Sequence, residues 1–129
     1  MVDGAHVAAL AVVNAVGDVI AADGRVLAGS TAPAGVPAFP TPAPFEEDAA
    51  RANTTLCVVV TDGRLDKTAC ALFAQSAHDG YARALRPAHT RFDGDLAVAV
   101  ATGAVEANLD RLRVAAADVV ADAIRSFGR

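Results

Sequence analysis

Apolar positions crowd the start of the chain. From His6 to Val16 nearly every residue is alanine, valine or leucine, the pattern of a strand buried on both faces. Gly17-Asp18 interrupts it. Val19–Ala22 and Arg25–Ala28 then flank Asp23-Gly24, which predicts a hairpin with a two-residue turn at positive φ. The pattern dissolves from Gly29 to Pro44, where Pro33, Pro37, Pro40, Pro42 and Pro44 remove amide donors and fix φ. This stretch reads as an exposed, semi-extended linker over residues 30–52. Glu46, Glu47 and Asp48 continue it, with one helical turn ending near Ala52.

Order resumes at Thr55–Thr61, an apolar strand closed by an Asp62-Gly63 turn. Asp66 is placed to cap a helix whose Leu65, Ala69, Leu72, Phe73, Ser76, Ala77, Gly80 and Ala84 share one face. Ser76, Ala77 and Gly80 make that face shallow, so a neighbour must approach closely. Pro87 stops the helix. Leu96–Thr102 predicts another strand. A last helix from about Val105 to Phe127 presents Leu109, Leu112, Ala116, Val120, Ala123, Ile124 and Phe127. The order is α+β, with two helices available to cover one sheet face.

Composition narrows the function classes. The chain is 53% hydrophobic but only 5% aromatic, so alanine and valine must build the core through close approach of elements. Eleven basic against fifteen acidic residues give a net charge of −4, and no polybasic run supports nucleic-acid binding. The longest uncharged apolar run, Val7–Val13, is too short to span a bilayer. MVDGAH lacks the basic region of a secretory signal. Cys57 and Cys70 have no metal-ligand spacing and read as buried free thiols of a cytoplasmic protein. His6, His78 and His89 likewise lack metal spacing, so neither a metal nor any other cofactor is expected. His6 reads as incidental, His78 as solvated or capping, and Tyr81 as packing at a helix edge.

Two short stretches carry candidate chemistry. Asn53-Thr54-Thr55 stands where the proline-rich segment meets a stiff strand. A threonine hydroxyl becomes a useful nucleophile when its own α-amine acts as base, which requires a cut on its N-terminal side. The same hydroxyl can make that cut by attacking the preceding carbonyl. Thr55 points to the opposite face of the strand from Thr54. The plainer reading of Asn-Thr-Thr is a polar strand entrance. Asp93-Gly94-Asp95 precedes the next strand, and in extended backbone its two carboxylates share a side. Such a pair could hold an amine, orient a hydroxyl or bind a cation, although Asp-Gly-Asp is also ordinary turn chemistry. His89 lies close enough in sequence to support it.

Taken together, VVNAVGDVIAADGRVLAG, NTTLCVVVTDGRLDK, AHDGYARALRPAHTRFDGD and LAVAVATG resemble, in order, the DmpA-type aminopeptidases, β-peptidyl aminopeptidases and nylon-oligomer hydrolases. The resemblance implies self-cleavage between Asn53 and Thr54, giving segments 1–53 and 54–129 of a single partial domain. Thr54 would be the nucleophile, Asp93 and Asp95 its neighbouring acids, and Asn14 an oxyanion or amine partner. The implied fold is part of a four-layer αββα sandwich like that of N-terminal-nucleophile hydrolases, incomplete on its N-terminal side. Family members carry upstream sheet strands and a lysine near the nucleophile, whereas the sole lysine here, Lys67, begins a helix. A lone copy should therefore expose a large apolar patch and either form a homo-oligomer or require the upstream segment. The implied substrate is a small peptide or amide, hydrolysed through an acyl-enzyme. Acyl transfer of the ornithine acetyltransferase type is the alternative chemistry, and a non-catalytic, partner-dependent fragment the alternative role.

Overall fold

The structure, a computed structural model, describes residues 1–29 and 53–126. The proline-rich linker, the acidic turn near Ala52 and Phe127 lie outside the described residues. One antiparallel and one parallel pairing build the main sheet, in the order β1 (Val7–Val12), β4 (Leu56–Gly63), β6 (Leu96–Val105). β1 runs antiparallel to β4 with Leu10 opposite Val58, and β6 runs parallel to β4 with Val58 opposite Val98. A small second sheet holds β2 (Asp18–Ile20) between β3 (Val26–Ala28) and β5 (Leu85–Arg86). The fold is thus α+β, as the order of elements predicts.

Both helices lie on one face of the main sheet. α1 (Lys67–Ala84) starts where the Asp66 carboxylate accepts the Ala69 amide at 2.7 Å. α2 (Leu109–Arg125) starts where Asn108 accepts the Arg111 amide at 3.1 Å. Phe73, Tyr81, Leu112, Val120 and Ile124 are fully buried between helices and sheet, against Val59 and the alanines of β1 and β6. The shallow helix face has the close neighbour it requires. A Cβ added to Gly80 would stand 2.7 Å from both the Ala117 carbonyl oxygen and Val120 Cβ, so the two helices touch through backbone.

Four local expectations are corrected. β1 is not buried on both faces: its positions alternate between half-buried and exposed, because α2 covers one side and no described layer covers the other. The hairpin loop has three residues. Ala21 N donates to Arg25 O at 2.8 Å, Gly24 N donates to Ala21 O at 2.9 Å, and Gly24 alone takes positive φ, at +86°. A two-residue turn would need positive φ at Asp23 as well. Asp62-Gly63 does not turn the chain but continues β4, with a register shift after Thr61. α1 ends at Ala84, ahead of Pro87, because Leu85 is already extended in β5.

The uncovered face is a grid of apolar side chains. Registers align Val12 with Leu56 and Leu96, Leu10 with Val58 and Val98, and Ala8 with Val60 and Val100. Leu10 is 68% exposed, Val12 61% and Leu96 54%. The expected apolar patch is present, and it occupies the sheet face opposite the helices.

Candidate active site

Strand pairing brings the scattered candidates together at one end of the main sheet. One step beyond the row Val12, Leu56 and Leu96, the chain places Asn14, Thr54 and the Asp93–Asp95 loop. Thr54 N donates to the Asn14 backbone carbonyl at 2.7 Å, extending the β1–β4 ladder. Asn53 bridges Asp93 in parallel, extending the β4–β6 ladder. Strand alternation puts Thr54 on the uncovered face with Leu56 and Val58, while Thr55 is fully buried with Cys57 and Val59 on the helix side. The expected opposition of Thr54 and Thr55 therefore holds.

Two donors meet at the carbonyl between Asn53 and Thr54. The Thr54 hydroxyl donates to Asn53 O at 2.7 Å, and the Gly94 amide donates to the same oxygen at 2.9 Å. Gly94 must lack a side chain here, since a Cβ would stand 2.9 Å from Thr54 Oγ1. A peptide N–H aimed at a carbonyl oxygen is the arrangement that stabilises the oxyanion formed when that carbonyl is attacked.

Asp93 and Asp95 do not act as one pair, because each carboxylate anchors a different segment. Asp93 Oδ1 accepts the Val16 amide at 3.1 Å, and its Oδ2 accepts the Thr90 amide at 2.9 Å and hydroxyl at 2.6 Å. It thereby ties the loop after β1 to the loop before β6. Asp95 Oδ1 accepts the Thr55 amide at 2.8 Å, and Oδ2 lies 2.7 Å from His89 Nδ1. Asp95 thus braces the backbone that follows Thr54, and Asp93 braces the two loops that lie beside it.

Three further residues complete the surroundings. His89 bonds to Asp95, as its place in the sequence suggests. Tyr81 is fully buried rather than at a helix edge, and its hydroxyl donates to Leu96 O at 2.8 Å. Burial pushes the Tyr81 phenol well above its ordinary range, with Cys57 and Asp95 adding to the effect. Burial also pushes the Cys57 thiol up to about 11, so it is an inert core group, while Cys70 is only half-buried. Helical spacing could have found Tyr81, which lies one turn beyond Ala77. No side-chain pattern could have found the Gly94 amide.

Beside Asn14 a cleft of about 380 Å³ opens between Val13–Gly17, Val19 and Ala28–Gly29. A larger hollow of about 590 Å³, lined by Val2, Arg111 and Val114, lies at the far end of the sheet. Among the described residues no cluster of histidine, cysteine, aspartate or glutamate could hold a metal ion, and no helix is long and apolar enough to cross a membrane.

Comparison with known proteins agrees with the sequence resemblance. Residues 2–126 match the model of peptidase family S58. Fifty-five residues are 58% identical to an uncharacterized aminopeptidase of Mycobacterium leprae, covering 43% of this chain and 15% of that protein. Fifty-three are 55% identical to an uncharacterized aminopeptidase of Mycobacterium tuberculosis, covering 41% and 15%. A 90-residue stretch is 30% identical to the 6-aminohexanoate-oligomer endohydrolase of Paenarthrobacter ureafaciens, covering 60% and 25%. The chain thus spans a minor part of the length of each relative.

Proposed function

Because the chain belongs to peptidase family S58, we propose that it carries the nucleophile half of a self-processing amidohydrolase, with Thr54 as the reacting residue. The supporting observation is the convergence of the Thr54 hydroxyl and the Gly94 amide on the Asn53 carbonyl oxygen. In the first step Thr54 Oγ bonds to the Asn53 carbonyl carbon. The hydroxyl proton passes to the Thr54 nitrogen, and the carbonyl electrons move onto the oxygen held by Gly94 N–H. Collapse breaks the Asn53–Thr54 C–N bond, transfers the acyl group to Oγ and leaves Thr54 N as a free amine. Water then hydrolyses the ester, giving an Asn53 carboxylate and a free Thr54 hydroxyl.

The amine released is Thr54 N, which in the uncut chain sits 2.7 Å from the Asn14 carbonyl. That contact suits Asn14 to the role of amine partner, holding the nitrogen beside Oγ. A terminal amine of ordinary pKa, about 7.7–8.0, is substantially neutral near pH 8 and can take the hydroxyl proton when Oγ attacks a substrate amide. The substrate acyl group moves to Oγ as an ester, its amine departs, and water releases the acid. Asp95 contributes by fixing the Thr55 amide and Asp93 by fixing the loops that carry Val16 and Thr90 beside the site. Substrates are small peptides or related short amides, entering by the cleft beside Asn14.

The apolar grid on the uncovered face supports the larger architecture. A second sheet, supplied by polypeptide beyond these 129 residues, would close it into the αββα sandwich, with Thr54 between the sheets. Self-cleavage needs only groups carried by this chain, whereas substrate turnover needs the completed sandwich.

Intact-mass analysis of the refolded chain tests the reading. Fragments 1–53 and 54–129 are expected, and none from Thr54→Ala. A wild-type chain that stays whole or breaks at another bond, or a Thr54→Ala chain that is still cut after Asn53, overturns it.

A further inference from the structure

His89 combines three features that the cleavage chemistry does not use. Its φ is +54°, in the left-handed region that is uncommon for residues other than glycine, histidine being one of the few that adopt it more readily. Its Nδ1 lies 2.7 Å from an Asp95 carboxylate that is only 4% exposed. Its ring packs against those of His78 and Tyr81, with centroids 4.9 and 5.3 Å away. Backbone strain survives where the surroundings hold a side chain in place, and here they hold an imidazole against one carboxylate.

The hydrogen bonds converge on Asp95. The Thr55 amide donates to Asp95 Oδ1, and Oδ2 accepts from His89 Nδ1–H. In a neutral ring Nε2 is then an acceptor, and His78 Nδ1, 3.3 Å away, donates to it. His78 is suited to stay neutral. Burial lowers its pKa first and the neighbouring His89 lowers it further, against smaller raising effects of Asp95 and Asp79. His78, His89 and Asp95 thus form a continuous chain of hydrogen bonds that ends on the peptide joining Thr54 to Thr55. The groups facing His89 are Asp95 at the entrance to β6 and His78 and Tyr81 on α1, with Asp79 beyond His78.

We propose that His89 is a positioning residue for Thr54, acting through Asp95 on the Thr54–Thr55 peptide; this rests on Thr54 being the reacting residue. Without the imidazole, Asp95 Oδ2 loses its partner and the carboxylate is free to turn, so its hold on the Thr55 amide loosens. Self-cleavage should then slow.

The test reads the peptide and the reaction separately. In the uncut Thr54→Ala chain, the Thr55 amide resonance is followed by ¹H–¹⁵N spectroscopy. It is expected to move when His89→Ala is added and to stay near its place with His89→Asn. Asparagine tolerates the same backbone conformation and offers an amide donor where Nδ1–H stands, so the double variant keeps its fold. A Thr55 resonance that does not move in His89→Ala, or that moves equally in His89→Asn, overturns the proposal whether or not the chain cleaves itself. With Thr54 intact, His89→Ala should slow cleavage about 10- to 100-fold, as expected of a modest misplacement. His89→Asn should restore most of the rate. Cleavage of His89→Ala at the wild-type rate overturns the positioning role while leaving the assignment of Thr54 standing.

Discussion

Replacing Gly94 by alanine isolates the oxyanion geometry from the stability of the fold. The added Cβ would lie 2.9 Å from Thr54 Oγ1, 3.8 Å from Asn53 O and 3.9 Å from Thr54 Cβ. Ordinary contact begins at 3.4 Å, so Gly94 and Thr54 must separate by the difference of 0.5 Å. The hydrogen bond from Gly94 N to Asn53 O, now 2.9 Å, shares that loop and lengthens with it. Loss of one preorganised oxyanion donor costs about 10²–10³ in rate, or about 2.7–4 kcal/mol of barrier. Gly94 itself is exposed, and restricting the unfolded chain returns about 0.4–1 kcal/mol, so global stability should hardly change. The assay is refolding from denaturant followed by intact-mass sampling, beside a urea melt of the uncut Thr54→Ala background with and without Gly94→Ala. The expected result is cleavage at least about 100-fold slower with an unshifted midpoint. Wild-type cleavage kinetics in Gly94→Ala, or a rate lost only in proportion to lost stability, would refute the argument.

Three other outcomes follow from the same coordinates. Thr55 Oγ1 is buried without a hydrogen-bond partner among the described residues, so Thr55→Val should raise stability by up to about 1 kcal/mol in a urea melt and leave the cleavage position unchanged; a large loss would show that the hydroxyl is bonded. Gly80→Ala forces apart two helix backbones and should cost about 1–3 kcal/mol, whereas a neutral result would mean that the helices slide at little cost. Burial holds the Cys57 thiol neutral up to about 11 and raises the Tyr81 phenol in the same direction. Each folded pKa exceeds its unfolded value, so this stability is complete below the ordinary thiol range and drains as pH climbs toward 11. Denaturation midpoints should fall between about pH 9 and 11, and a thiol reagent at pH 8 should modify Cys70 well before Cys57.

Legibility differed between residues for identifiable reasons. Asp66 as a cap and Gly80 as a point of close approach follow from local rules, and both hold in the fold. The hairpin around Gly24 was readable, but its loop length was not. A two-residue and a three-residue loop share the same dipeptide, and strand register chooses between them. β1 misleads because an all-apolar strand looks doubly buried, although only one face is covered by described residues. Tyr81 was legible in helical spacing, yet what its hydroxyl meets depends on where β4 and β6 begin. Asp93 and Asp95 were visible as a unit, but their separate anchoring depends on where Val16 and Thr55 arrive.

The order of the longer strands and the two helices, the Asp66 cap, the alanine-valine core and the candidate Thr54 follow from the amino-acid sequence, whereas β5 and the Asn108 cap, which starts the last helix four residues later than its pattern suggests, do not. Each of the former rests on periodicity or on chemistry confined to a few neighbouring residues. The meeting of Asn14, Thr54 and Gly94 at the ends of three strands was settled only in three dimensions, as were the uncovered apolar face and the histidine path to Asp95. The strand-end meeting depends on contacts between residues about 40 to 80 positions apart and on backbone groups identical in every residue, and the histidine path on how the loop after α1 folds back to bring His89 against His78, none of which a side-chain pattern records.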